Sequence, residues 1–279
     1  MEAPNSTSNA VAEDFRIPDP MCEKIKPLVP PERVKPKGGR PRNDARKMME
    51  AIFYVLRTSI QWKALPRQIA AGSSAHDRFQ EWRRTGVFHR ICQVGLLTYD
   101  QLKQIEWEWQ AMDGVMTKAP LGGVGTGPNP TDRAKAGKKR CLLTDGRGVP
   151  LAIQVVGANR PDMKVTEATI ANHMIDRQKP TSRKPQHLCL DAGFDYDEIR
   201  EILGAYGYVA HIRSRAAETE GKRKIPGYRA RRWIVERTHS WMNRFRRLLI
   251  RWEKKVEDYL AMVEFACAYI ALHVAEVFG

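Results

Sequence analysis

Three acids in this chain have the spacing and surroundings of a metal-binding set. Asp113 and Asp191 each end an apolar run, IEWEWQAMD and HLCLD, and each leads into a glycine, the way a carboxylate emerges from a sheet into a cleft. Glu236 follows after intervals of 78 and 45 residues, on a segment with helical periodicity. Two strand-end Asp and one helix-borne Glu supply oxygen ligands, which hard divalent cations take. Two Mg2+ ions about 4 Å apart on such a set activate an attacking hydroxyl and stabilise the leaving oxygen of a phosphodiester.

Glu236 sits inside YRARRWIVERTHSWMNRFRRLLIRW, residues 228–252. From Lys222 to Lys255 there are thirteen Lys or Arg against two acids, a local net of +11 out of +15 for the chain. Ile234, Trp241, Phe245, Leu248 and Trp252 fall on one helical stripe that would face a core, so a helix over Arg229–Trp252 is expected. Glu236 lies about 200° round the wheel from Ile234 at roughly 100° per residue and points away from that stripe, on the side of Arg232 and Ser240. A carboxylate among cations stays charged, which suits a metal ligand and not a general acid. The alternative is a solvated helix face with an intrahelical Glu–Arg pair.

The elements that must position these acids follow from periodicity. Residues 1–39 hold seven of the seventeen prolines and read as a poorly ordered arm, with at most a helical turn near Met21–Ile25. The arm closes on KPKGGRPR, where Arg40 and Arg42 can follow phosphates or simply belong to a charged linker. Residues 40–103 read as a small all-α unit. A first helix runs from an Asn43 or Asp44 cap to Thr58, a second over Ala75–Thr85 and a third over Val87–Leu97. In the second, Phe79 and Trp82 pack inward while His76, Arg78, Arg83 and Arg84 stay exposed. The set resembles a helix-turn-helix that could lay its second or third helix in a major groove, although small bundles without that role are common.

From residue 104 to 279 the pattern is α/β. Ile105–Val115 reads as a strand, RCLLTD and VPLAIQVVG as a hairpin about Gly146-Arg147-Gly148, and Asp162–Asp176 as a helix. A buried strand follows at His187–Phe194, a helix at Tyr196–Tyr206, a strand at Tyr208–Arg213, and a last helix at Val256–Phe278. The order requires a mixed sheet with helices on its faces. Asp145 opens the DGRG turn and Asp162 caps a helix, the ordinary uses of Asp there. No His has a Cys or carboxylate partner at ligand spacing.

Composition narrows the partners. A net charge of +15, concentrated on particular segments, points to a polyanion, nucleic acid before a membrane surface. The start, MEAPNSTSNAVAEDF, has no basic n-region or apolar h-region, and residues 256–278 carry too many charges to span a bilayer. A soluble, cytoplasmic protein is expected. The five cysteines have no CxxC pairing and read as reduced thiols.

Six segments carry a resemblance. They are GGRPR, AIFYVLRTSIQWKALP, GPNPTDRAKAGKKR, DGRGVPLAIQVVGANRPD, LCLDAGFDY and RRWIVERTHSWMNRFRRL, in order over about 240 residues. The chain resembles the DDE transposases of bacterial insertion sequences, the IS5 group of the IS4-like superfamily. The resemblance implies an RNase H-like catalytic core behind a helical DNA-binding domain, with Asp113, Asp191 and Glu236 as catalytic and metal-binding triad. The superfamily signature Y-(2)-R-(3)-E-(6)-K is met at Arg232 and Glu236. Arg229 stands in place of its Tyr and Asn243 of its Lys, and Asn243-Arg244 is similar to what IS5-group members carry.

The resemblance further implies cleavage at terminal inverted repeats and strand transfer into target DNA, with Mg2+ or its substitute Mn2+. A homodimer would hold two transposon ends, in nucleoid-associated protein. Arg232, Asn243 and Arg244 would grip the cleaved end, and Lys138, Lys139 and Arg140 would contact backbone. Two rivals remain: a non-catalytic DNA-binding protein descended from such an enzyme, and a structure-specific nuclease on the same fold.

Overall fold

The computed structural model describes residues 15–32, 38, 41–212, 231 and 233–278. Its first part is helical: α1 (Asp19–Ile25), α2 (Ala45–Thr58), α3 (Gly72–Arg84) and α4 (Val87–Lys103). Helix α2 begins where the Asp44 carboxylate accepts the Lys47 N–H at 3.0 Å, and it ends at Ser59 in the left-handed region. Met48, Ile52, Val55 and Leu56 form its buried face as the spacing predicts. Helix α3 starts three residues before its expected position. Its first residue is Gly72, a position that only glycine fits because a Cβ there would lie 1.8 Å from the Trp62 carbonyl oxygen.

The second part is a six-stranded sheet: β1 (Trp109–Lys118), β2 (Gly127–Pro128), β3 (Ala136–Thr144), β4 (Pro150–Gly157), β5 (Gln186–Leu190) and β6 (Tyr208–Ile212). The spatial order is β4-β3-β1-β5-β6, with β2 paired to the start of β3. Strand β3 runs antiparallel to both of its neighbours, β1 and β4, whereas β5 and β6 run parallel to β1. Helix α5 (Met163–Ala171) lies between β4 and β5 in sequence, and α6 (Asp197–Ala205) between β5 and β6. This is the RNase H-like order. Alternation along the strands separates two cores. Met112, Leu143, Leu188 and Leu190 pack with Ile170, Ile199 and Leu203 of α5 and α6. Ala111, Leu142, Leu151 and Ile153 share the other core with α7 (Trp233–Asn243), α8 (Val256–Val274) and the N-terminal helices.

Several expectations change. Residues 15–32 are no free arm: Ile17, Met21 and Ile25 are buried in the main core, although their many prolines leave room for only one short helix. The helical part and the sheet also share that core, so position 103/104 is not a packing boundary. Helix α4 runs on to Lys103 because Tyr99 is fully buried. Helix α5 stops at Ala171, where the Asn172 amide turns to the Ile153 carbonyl at 2.7 Å. Strand β1 continues past Asp113 to Lys118, and β3 starts at Ala136, which takes Lys138, Lys139 and Arg140 into the ladder.

The long helix expected over Arg229–Trp252 is also shorter where it is described. It ends at Asn243, and a 3-10 turn at Arg246–Leu248 follows. The chain is then captured by the end of β1: Arg251 N–H donates to the Lys118 carbonyl at 2.9 Å, and Ile250 bridges Lys118 in parallel. The Arg251 guanidinium is buried on the carbonyls of Val124, Glu253 and Lys254. Those bonds replace helical ones, and Trp252 is left exposed. Helix α8 is apolar nearly all round and accordingly buried. No helix among the described residues is long and apolar enough to cross a membrane. All five cysteines are buried, and none is in a disulfide.

Candidate active site

The register of β1 and β5 brings two of the acids together. Ala111 pairs with Cys189 at the end of their parallel ladder; Asp113 lies two residues further along β1, and Asp191 two residues further along the chain, just past β5. Asp113 is mid-strand, with Gly114 N–H donating to its Oδ1 at 2.7 Å. Asp191 has just left β5, and its carboxylate caps a 3-10 turn by accepting the Gly193 N–H at 2.8 Å. Helix α7 lies over β1 and β3, burying Ile234, Val235, Thr238, His239 and Met242. Glu236 is on its exposed side, as the wheel predicts.

The charges report the same convergence. Burial first, and then the negative charges of Asp191, Glu236 and Asp162, push the Asp113 carboxyl up to about 6. A carboxylate raised by its acidic neighbours is in a site with too little positive charge, which a cation relieves. The all-oxygen donor set fits a hard divalent ion. Among the described residues no three His, Cys, Asp or Glu side chains already converge closely enough to hold an ion. The acids are neighbours and not a preformed cage.

His239 was not assigned a role from sequence. It is buried with its Nε2 3.9 Å from Asp113 Oδ2, and among the described residues neither ring nitrogen has a hydrogen-bond partner. Burial, and then the Arg140 charge, lower it to about 3, so it is neutral. Its only sequence signal is its place one turn after Glu236. Asp162 does not cap α5 with its side chain as expected; its carboxylate takes the Lys139 ammonium at 2.8 Å instead. Asp145 does hold its turn. Its buried carboxylate accepts from Arg147 N–H, Val149 N–H, Glu106 N–H and the Tyr99 hydroxyl.

The expected phosphate contacts divide into two groups. Arg84, Asn243 and Arg244 are exposed, the last two at the end of α7. Arg42 is exposed but paired to Glu81 at 2.6 Å and to Glu32 at 3.5 Å. Arg78 is buried on Glu32 at 2.8 Å, and Arg83 holds Asp258 of α8 at 2.8 Å. Lys138, Lys139 and Arg140 are buried in β3, so the expected backbone contact from their side chains has no surface to act from. Lys138 Nζ stands 3.0 Å above the Tyr259 ring, and burial holds it well below the usual lysine range. Arg40 and Arg232 lie outside the described residues.

Comparison with known proteins places the same segments. Residues 110–271 match the family model described as "Transposase DDE domain", and residues 17–92 match "Putative transposase of IS4/5 family". The chain is 36% identical over 152 residues to the "Putative transposase for insertion sequence element IS402" of Burkholderia cepacia, covering 52% of this chain and 67% of that one. It is 29% identical over 122 residues to "Insertion element IS402 uncharacterized 16.2 kDa protein" of the same organism, covering 41% and 80%. A solved structure, "Crystal structure of the Mos1 mariner paired end complex with Mn", aligns at a TM-score of 0.29 and 12% identity over 90% of this chain and 86% of that chain. At that TM-score the likeness adds nothing to the strand order.

Proposed function

The chain belongs to the DDE transposases of the IS4/5 type, and from that premise we propose that Asp113, Asp191 and Glu236 are its cation-holding carboxylates. Enzymes of this family cleave DNA strands and join them to target DNA with divalent metal. Asp113, Asp191 and Glu236 would hold Mg2+, or Mn2+ in its place, and the bound ions would supply polarisation of the phosphodiester and of the attacking oxygen. The side-by-side register of Asp113 and Asp191, under the helix that carries Glu236, carries this reading.

The residues divide the work by their anchorage. Asp113 keeps Oδ1 on Gly114 N–H while its Oδ2 stands 3.9 Å from His239 Nε2, on a strand paired to β3 and, before Asp113, to β5. Asp191, tied to Gly193 N–H, approaches from the neighbouring strand end. Glu236 is presented from the solvent side of α7, where a substrate phosphate has access. His239 excludes water beneath Asp113 without adding charge.

The helical unit, residues 40–103, recognises the terminal inverted repeats, and the RNase H-like unit, residues 104–279, carries the chemistry. Matches of separate family models to residues 17–92 and 110–271 support that division of labour. Arg84, Asn243 and Arg244 are exposed and suited to phosphate. A homodimer is required to hold two ends at once, and its place is on nucleoid DNA in the cytoplasm.

The test is cleavage of end-labelled DNA carrying the element's terminal repeat, with Mg2+ or EDTA, by the parent and by Glu236→Ala. Cleavage at the repeat boundary that needs both the metal and Glu236 is expected. Specific binding without cleavage under any cation would replace the enzyme with a DNA-binding descendant, and cleavage of branched DNA regardless of the repeat would replace it with a nuclease.

A further inference from the structure

The turn between β3 and β4 is bonded to three other parts of the protein. Toward the helical unit, the Tyr99 hydroxyl of α4 donates to Asp145 Oδ2 at 2.6 Å. The Arg147 guanidinium donates to the Lys103 carbonyl at 2.8 Å and the Gln104 carbonyl at 2.7 Å. Gln104 holds φ +57, a conformation that costs energy in a residue with a Cβ and persists only where neighbours fix it. Toward the start of β1, Glu106 N–H donates to Asp145. Toward α7, the Arg147 carbonyl accepts from Arg237 Nη2 at 2.6 Å, and the Gly148 carbonyl accepts from Thr238 Oγ1 at 2.7 Å. Gly148, at φ +88, lies so close to α7 that a Cβ would stand 2.9 Å from the Thr238 hydroxyl.

Arg237 and Thr238 are the two residues after Glu236. A helix anchored at consecutive residues can neither turn about its axis nor slide along it, so these bonds set where the Glu236 carboxylate stands relative to Asp113. We propose that the Asp145–Val149 turn is a positioning clamp for Glu236, with Thr238 and Tyr99 as positioning residues at its two ends. The inference rests on the reading of Glu236 as a cation ligand. Groups that orient a ligand from behind typically change metal affinity by about 10- to 100-fold.

The variants are Thr238→Val, which keeps the shape and removes the donor; Thr238→Ser, which restores it; and Tyr99→Phe at the remote end. Mn2+ is titrated against DNA-free full-length protein, following the cation-dependent rise in thermal midpoint, and separately against cleavage of repeat DNA. Thr238→Val and Tyr99→Phe should need about tenfold more Mn2+ in both assays, and Thr238→Ser should match the parent. Binding of repeat DNA without cation should be unchanged. If Thr238→Val and Tyr99→Phe lower the metal-free midpoint but titrate with Mn2+ as the parent does, the turn is structural only and the proposal falls. A Glu236→Gln control that titrates like the parent would instead remove Glu236 from the ligand set. If Thr238→Val does not fold, Tyr99→Phe decides alone, because it removes one hydroxyl far from α7.

Discussion

His239 and Asp113 touch across 3.9 Å without ever forming an ion pair in the metal-free protein. Burial and Arg140 lower the histidine to about 3, while burial and the surrounding acids raise the aspartate to about 6. Above pH 6 the carboxylate is charged beside a neutral ring. Between those values both are neutral. The contact therefore places no positive charge beside Asp113.

The first prediction concerns acid stability. His239 is lowered from 6.5 to about 3 in the folded chain, so the unfolded chain binds its proton first as pH falls. Stability is therefore lost from about pH 6.5 downward, by on the order of 3 kcal/mol at pH 4. His239→Leu removes this slope. Urea midpoints of both proteins from pH 8 to pH 4 measure it, and parallel curves would contradict a neutral buried ring.

Asp113 has the opposite sign. Its carboxyl is raised above its unfolded value, so the charged form destabilises the metal-free protein above pH 6 and the cost disappears as pH falls toward 4. Asp113→Asn should raise metal-free stability at pH 8 by about 1–2 kcal/mol, after allowance for partial exposure, and by much less at pH 4. Added Mn2+ should stabilise the parent and not the variant. A variant less stable than the parent at pH 8 would show that the acidic neighbours do not repel.

Lys138 and Arg244 should separate burial from DNA contact. Lys138 stands over Tyr259 with no hydrogen-bond partner for its Nζ among the described residues, so Lys138→Met should match the parent in stability or exceed it by about 1–3 kcal/mol, with DNA affinity unchanged. Arg244→Ala at the exposed end of α7 should weaken binding at every sequence and lower the salt dependence by about one unit of slope. Filter binding across salt concentrations distinguishes them. Loss of affinity in Lys138→Met at full stability would return that lysine to the interface.

Glu253 pairs with Arg247 at 2.7 Å, and both side chains are buried. Truncation to Glu253→Ala leaves an uncompensated guanidinium under α8 and should cost about 3–5 kcal/mol in denaturant unfolding. A cost under about 1 kcal/mol would mean that water reaches Arg247.

The strands that carry the candidate acids and the order of elements were legible in the chain itself. The short apolar runs LCL and CLL identify buried strands, and the helical wheel at Ile234 already turns Glu236 outward, because these are local patterns. The cap at Asp44 and the turn held by Asp145 are local too. What only the tertiary structure decided depends on partners distant in sequence. Helix α7 stops at Asn243 and does not continue to Trp252, because the Lys118 carbonyl, more than a hundred residues away, takes the Arg251 N–H. The cations of β3 are indistinguishable from surface cations in sequence, yet Tyr259 and the core around it cover Lys138 and Arg140. His239 and Asp113 meet only because α7 lies over β1. Periodicity states which way a side chain points within its own element, and packing alone determines what stands opposite.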